Sequence, residues 1–438
     1  MNYHIKTFGC QMNLHDSERM AGYLERMGYR SCPEVESADL LLVNSCSIRE
    51  KADHKAFSLL GILKKLKEDN PEKLLVFAGC TAQLQGERVF KRAPYVDIVL
   101  GAQHLDRLPE LIKEKQKGRL IEVSDNRAGD QDVFPRSLKA PAQAAKESPT
   151  KARVTIVEGC DNFCSYCVVP YARGRERSRP YREIEAEVRK LVDRGCREIT
   201  LLGQNVNSYG KNTGHSLAFL LKRLNEINDL KRIRFVTSNP IDFGSDLIEA
   251  IGSLEKVCEH VHLPVQAGSD RILKLMNRKY TAEKYLRKVE KLKKAVPGVA
   301  VTSDIMVGFP GETEDDFQKT LDLIRQVKFD NFYSFIYDDR PRTRAASLPG
   351  RIPRKVSSAR FARLAAVQKT IFQQITGTML GREMEVLVEE ESGQPGYLTG
   401  ITRTNRIIHF MGSRKMAGQL RSVRVEEVSG NSLRGRLV

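Results

Sequence analysis

The stretch "EGCDNFCSYCVVP", Glu158–Pro170, carries three cysteines at C-x3-C-x2-C spacing. It follows a short apolar run, Val154–Val157, that predicts a β-strand. Thiolates this close converge on one small object, a zinc ion or an iron–sulfur cluster. Zinc motifs add a second Cys/His pair at a set distance, and nothing suitable follows here. A [4Fe–4S] cluster held by Cys160, Cys164 and Cys167 would leave one iron open to a substrate or cofactor. The stretch therefore places chemistry at the C-terminal end of a strand, as in parallel α/β barrels.

Downstream, strand and helix patterns alternate. Candidate strands are Val154–Val157, Glu198–Leu202, Ile233–Thr237, His260–Pro264, Val299–Val307 and Phe332–Tyr337. The clearest helices are Arg182–Val192, Ser216–Glu226, Asp246–Leu254, Ala282–Lys294 and Glu314–Val327, with a further one at Arg354–Ile375. The pattern predicts a partial (β/α)6 barrel over 151–375. Upstream, residues 1–120 read as an α/β unit, with strands at Tyr3–Phe8, Leu40–Val43, Leu74–Phe77 and Val96–Leu100 and helices at Asp16–Arg26 and Ile48–Glu68. The Pro-, Ala- and Ser-rich segment within 121–150 reads as a linker. Short strands over 376–438 fit a small closed β-barrel.

Cys10, Cys46 and Cys80 each end an apolar run ("YHIKTFGC", "LLLVNSC", "LLVFAGC"). In a parallel sheet the C-terminal strand ends share one edge, so residues far apart in sequence can meet there. Buried packing explains one such cysteine well. Three in the same phase read as a second three-thiolate cluster site. Cys32, Cys196 and Cys258 show no such phase and read as structural.

At 438 residues the chain has room for roughly two to four domains. Its 72 Lys and Arg against 55 Asp and Glu give a net +17, which points to a polyanionic partner. No apolar run approaches the ~18 residues of a membrane span, and "MNYHIKTFGC" lacks the features of a secretory signal. A cytoplasmic location is expected. In a reducing compartment, nine cysteines suit ligands, nucleophiles or core better than disulfides.

With Tyr166 as the aromatic in C-x3-C-x-aromatic-C, the first triplet resembles the signature of radical S-adenosylmethionine (SAM) enzymes. Together the two triplets resemble the methylthiotransferase family over nearly the whole chain. Its layout would be an N-terminal methylthiotransferase domain, a radical SAM core and a C-terminal TRAM domain. "TFGCQMNLHDSE", "NSCSIREKA", "GCDNFCSYCVVPYARGRERSRP", "LLGQNVNSYG", "HLPVQAGSDRILKLMNR" and "DIMVGFPGETEDDF" are similar to the MiaB-type branch. The chain departs from that branch at Asp338, Arg342 and Arg344, which stand near its usual Ser, Gly and Pro, and at Asn239, where the branch has His. All four lie at ends of candidate barrel strands, where they bear on the substrate pocket.

The resemblance implies two [4Fe–4S] clusters and SAM as cofactors. It implies methylthiolation at C2 of N6-isopentenyladenosine, at position 37 of tRNA beside the anticodon. One SAM would methylate the sulfur, and a second would yield a 5′-deoxyadenosyl radical that activates C2. It further implies an anticodon stem-loop as substrate, a flavodoxin- or ferredoxin-like electron donor, and a monomer. Tyr166, Gln204, Gln266, Asp304 and Phe309 are the expected SAM contacts; no acid or base is assigned. Arg173, Arg175, Arg177 and Arg179 alternate after the cysteine loop, which puts them on one face if extended. They join Arg354 and Lys355, in a basic stretch over 351–369 that has no acidic residue, as expected RNA contacts. Two rival readings are a methylthiotransferase for N6-threonylcarbamoyladenosine and a non-catalytic iron–sulfur RNA-binding protein. A sensor would more naturally use four cysteines per cluster.

Overall fold

Two strands near the N-terminus, "LLLVNS" and "LLVFAG", are buried at every position. Such runs belong inside a parallel sheet with both faces covered. They are β3 (Leu40–Ser45) and β4 (Leu74–Gly79) of a six-stranded sheet that also holds β1 (Asn2–Phe8), β2 (Arg30–Ser31), β5 (Ile98–Gly101) and β6 (Leu120–Glu122). The order is β2-β1-β3-β4-β5-β6, and every pairing is parallel. Helices α1 (Gln11–Arg26), α2 (Glu50–Asp69), α3 (Cys80–Gln85), α4 (Arg88–Arg92) and α5 (Leu108–Glu114) connect the strands. Separate apolar cores lie on the two faces of the sheet. The sequence reading missed β2, whose "RS" is exposed and patternless, and β6, which carries the sheet past the expected boundary at 120.

The computed structural model describes residues 1–438 except 48–49, 116–117, 125–149, 212, 392–393, 395 and 430–431. Most of the expected linker and the start of the helix expected at Ile48 therefore lie outside the described residues.

The central domain begins with β7 (Lys151–Thr155) and a short ribbon of β8 (Val157–Glu158) against β9 (Arg177–Ser178), with α6 (Val169–Arg173) between them. Then β10 (Glu198–Leu202), β11 (Arg232–Phe235), β12 (His260–His262), β13 (Ala300–Val307) and β14 (Asn331–Ile336) alternate with α7 (Tyr181–Asp193), α8 (Leu217–Asn225), α9 (Ser245–Ser253), α10 (Asp270–Leu275), α11 (Ala282–Ala295) and α12 (Glu314–Val327). All pairings within β7-β10-β11 and β12-β13-β14 are parallel, and an isolated parallel bridge links Ile233 of β11 to Val257, on the chain leading into β12. This is a six-stranded partial barrel. Helix starts are well specified: Thr313 and Asp316 form a reciprocal capping box on α12, whose first turn is acidic. The open edges are covered, as exposed edges require. Helix α13 (Arg354–Gly377) packs on β14. On the other side, Glu18 of α1 accepts a hydrogen bond from Arg153 of β7 at 2.7 Å.

The C-terminal strands β15 (Glu383–Glu391), β16 (Tyr397–Thr402), β17 (Ile407–Met411), β18 (Leu420–Ser429) and β19 (Ser432–Leu437) close into a barrel in the order β15-β16-β17-β19-β18. It docks on the N-terminal ends of the central strands. Arg232 donates to Ile401 O at 2.5 Å and to Glu385 at 2.8 Å, and Arg234 to Thr402 O at 2.7 Å. Arg403 pairs with Glu259 at 2.6 Å, Arg406 with Asp330, and Lys151 with Glu389.

Candidate functional site

In a sheet of order 2-1-3-4-5, ligands bind at the carboxyl ends where the order reverses, between β1 and β3. Phe8, Ser45 and Gly79 are in register across β1, β3 and β4, so Cys10, Cys46 and Cys80 leave the sheet side by side at that point. Cys10 caps α1 and keeps exposed surface; Cys46 and Cys80 are buried. Cys46 hydrogen-bonds both of the other thiols. Gly79 takes φ +97°, and a Cβ there would meet Asn44 Oδ1 at 2.2 Å. Asn44 in turn ties β3 to α1, donating to Asn13 O at 2.8 Å and Ser17 Oγ at 2.9 Å.

The bond from Cys46 draws the Cys10 thiol down to about 6, against burial and with help from Arg173. Cys80 is lowered by the same two neighbours, while Cys46 is pushed up. Arg173 Nε donates to Cys80 Sγ at 3.3 Å. It also pairs with Asp16 and, at 3.2 Å, with Glu158.

The second trio lies in the loop between β8 and α6. Gly159 N donates to Gln204 Oε1 at 2.6 Å, and Cys160 N to Gly174 O at 3.2 Å. Ser165 Oγ donates to Leu275 O at 2.8 Å, and Asn277 Nδ2 to Phe163 O at 2.9 Å. Arg278 Nη1 reaches Cys164 Sγ at 3.4 Å. Burial, reinforced by the neighbouring thiols, pushes Cys160 up to about 11 and Cys167 up to about 12. Thiols so held ionise when a cation compensates them. Among the described residues no three such side chains close around a single metal ion. A four-iron cluster instead offers each thiolate its own iron, and on that ground both trios fit the cluster type expected.

Between the trios lies a cavity of about 280 Å³. Ser47, Thr81 and Val168, each next to a cysteine of one trio or the other, line it together with Asp53, Arg340 and Arg342. Thr81 Oγ1 bonds Asp53 and, at 3.1 Å, Ser45. Burial raises the Asp53 carboxyl. Asp53 and Arg340 carry no motif or periodicity, and the sequence reading missed them. Arg278 ends the motif "HLPVQAGSDRILKLMNR" without being singled out in it, and Arg342 is among the departures that bear on the substrate pocket.

Other expected site residues divide. Gln266, at φ +70°, bridges to Ile305, and its N–H donates to Asp304 O at 2.9 Å, so Gln266 and Asp304 sit on adjacent chains at the strand ends. Tyr166 is partly buried against the barrel core. Phe309 is a correction: its ring is fully buried, edge-on to Tyr337 at 5.3 Å, so it is core. Arg173 and Arg179 are also corrections as RNA contacts. The segment is not one extended strand, because α6 ends at Arg173 and Gly174 turns at φ +77°. Arg173 is 2% exposed, and Arg179, 5% exposed, pairs with Glu187. Arg175 is exposed beside Asp161, and Arg177 is half-buried. Arg354 and Lys355 are exposed at the start of α13. The rest of that basic stretch is largely neutralised from other elements, Arg351 by Asp339, Arg360 by Glu312 and Arg363 by Glu314.

Three family models match in series: an uncharacterized protein family, UPF0004, over residues 2–101, the radical SAM superfamily over 154–324 and the TRAM domain over 377–438. The fold resembles TsrM, a radical SAM methyltransferase from Kitasatospora setae, with TM-score 0.56 and 14% identity over 79% of this chain and 75% of that one. A tRNA-2-methylthio-N(6)-dimethylallyladenosine synthase of Moorella thermoacetica is 46% identical over 100% of this chain and 98% of its own. One from Thermoanaerobacter pseudethanolicus is 44% identical over 100% of this chain and 92% of its own. The chain belongs to the family of tRNA-2-methylthio-N(6)-dimethylallyladenosine synthases within the radical SAM superfamily.

Proposed function

We propose that this enzyme methylthiolates C2 of N6-isopentenyladenosine (N6-dimethylallyladenosine) at position 37 of tRNA, beside the anticodon. The observation that carries the reading is the cavity bounded by residues adjacent to both cysteine trios. C2 of adenine has no acidic proton, so side-chain acid–base catalysis has little purchase on it. When bound, SAM and two [4Fe–4S] clusters supply the radical chemistry and the inserted sulfur.

The chain's own residues hold and orient. Cys160, Cys164 and Cys167 hold one cluster, and Cys10, Cys46 and Cys80 the other. Arg278 and Arg173 offset the thiolate charge. Gln204 fixes the backbone that enters the first cysteine loop. Tyr166, Gln204, Gln266 and Asp304 surround SAM. The cavity at Ser47, Asp53 and Thr81 receives the extruded base and keeps bulk water from it. Arg175, Arg177, Arg354 and Lys355 meet the RNA backbone. The enzyme works as a cytoplasmic monomer fed by a flavodoxin- or ferredoxin-like donor. None of its described helices is long and apolar enough to cross a membrane.

Mass spectrometry of tRNA nucleosides tests this. Loss of the gene should leave isopentenyladenosine without its methylthio group. Persistence of the methylthiolated nucleoside would refute the reading.

A further inference from the structure

The turn Arg340–Thr343 holds an arginine where the backbone calls for glycine. Thr343 N donates to Arg340 O at 3.2 Å, Pro341 occupies the second position, and Arg342 takes φ +69° in the third. A proline followed by positive φ is the signature of a type II turn, whose third position favours Gly or Asn. A long side chain is disfavoured there, so its presence needs a reason outside the turn.

The surroundings supply one. Ala345 N donates to Ser165 O at 2.7 Å, which fixes the turn to the loop of the second cysteine trio. Arg342 is exposed and lines both the cavity between the trios and a neighbouring one of about 510 Å³. Arg88, also exposed, lines both as well, and Lys91 lines the second. Among the described residues, these three cations make no hydrogen bond or ion pair; Arg340 by contrast pairs with Asp338. Facing them are Asp53, bonded to Thr81, and Glu87. The two cavities share Leu84, Gln85, Arg88 and Arg342, so they form one groove beside residues that neighbour both trios, with an excess of positive charge.

We infer that Arg342 is a substrate-positioning residue that grips an RNA phosphate flanking the modified adenosine, with Arg88 and Lys91 continuing the track. This rests on the proposed tRNA reading. A base inserted between the trios brings its own phosphates to the mouth of the cavity, where the Arg342 side chain reaches out. Arginine suits the task, since its guanidinium can bind phosphate through two parallel hydrogen bonds.

The test compares the full chain with Arg342→Gly and Arg342→Lys, using tRNA that carries isopentenyladenosine, across a salt series. Arg342→Gly should weaken binding about ten-fold and flatten the log–log salt slope by about 0.7–0.9 for the phosphate released. Its urea midpoint should hold or rise, because glycine relaxes the turn. Arg342→Lys should retain most of the slope. Unchanged affinity and slope in Arg342→Gly would overturn the assignment. So would a tRNA affinity that holds while SAM cleavage slows with a flavodoxin but not with dithionite, which would make the groove a protein-docking site. A wild-type chain that binds no tRNA overturns the tRNA reading along with this one.

Discussion

Arg173 donates its Nε–H to Cys80 Sγ at 3.3 Å, although 93 positions and a domain boundary separate them. The same guanidinium pairs with Asp16 of α1 and Glu158 of β8. One buried side chain therefore joins the N-terminal trio to the segment that carries the other.

Replacing Arg173 with methionine should cost about 3–5 kcal/mol, because Asp16 and Glu158 would remain buried without their cation. Urea unfolding reads the loss. Iron bound by the Cys10/Cys46/Cys80 trio after anaerobic reconstitution should fall in step. Equal stability and equal iron content would show that the two domains lock by other means.

Changing Cys164 to alanine should abolish 5′-deoxyadenosine formation while sparing iron at the N-terminal trio. Cys46→Ala should do the reverse, leaving SAM cleavage measurable as methylthiolated product disappears. Product assays and iron counts on both variants separate the two roles. Full methylthiolation by Cys46→Ala would reduce the N-terminal trio to packing.

His260 sits at the floor of the barrel, 8% exposed and 3.1 Å from Thr302 Oγ1. Burial first, then Arg234 and His262, depress its pKa to about 3. The folded chain keeps it neutral, whereas the unfolded chain protonates it near pH ~6.5. Its stability contribution is therefore intact above about pH 6.5 and is lost as the pH falls toward 3, by on the order of 1 kcal/mol per unit. His260→Gln should flatten stability against pH across that window, and an unchanged profile would assign the acid sensitivity elsewhere.

Deleting residues 377–438 should destabilise the central barrel as well as remove a domain. Arg232 and Arg234, 0% and 7% exposed, would lose their carbonyl acceptors on the C-terminal barrel. Each guanidinium left unsatisfied costs about 1–3 kcal/mol if it stays buried. The truncated chain should unfold at lower urea. A matching midpoint would show that those arginines turn out to water.

Both cysteine trios and the alternating barrel were legible because they depend on local phase: a cysteine at the end of each apolar run, a strand every few tens of residues. Charge partners were not. The alternation of Arg173 to Arg179 suggested one exposed face, but Gly174 breaks the segment, and Asp16, which claims Arg173, lies 157 positions away. The stretch 351–369 looked uncompensated because its acids, Asp339, Glu312 and Glu314, belong to other elements. Phe309 ends a barrel strand as expected, but its ring turns into the core toward Tyr337. Two-residue β2 offered no apolar pattern to read.

The C-terminal barrel holds the floor of the central domain, while the cysteines open at its roof. With β13 eight residues long at about 3.3 Å each, the two faces stand roughly 25 Å apart. RNA that touches both has to run down the flank and be at least that long.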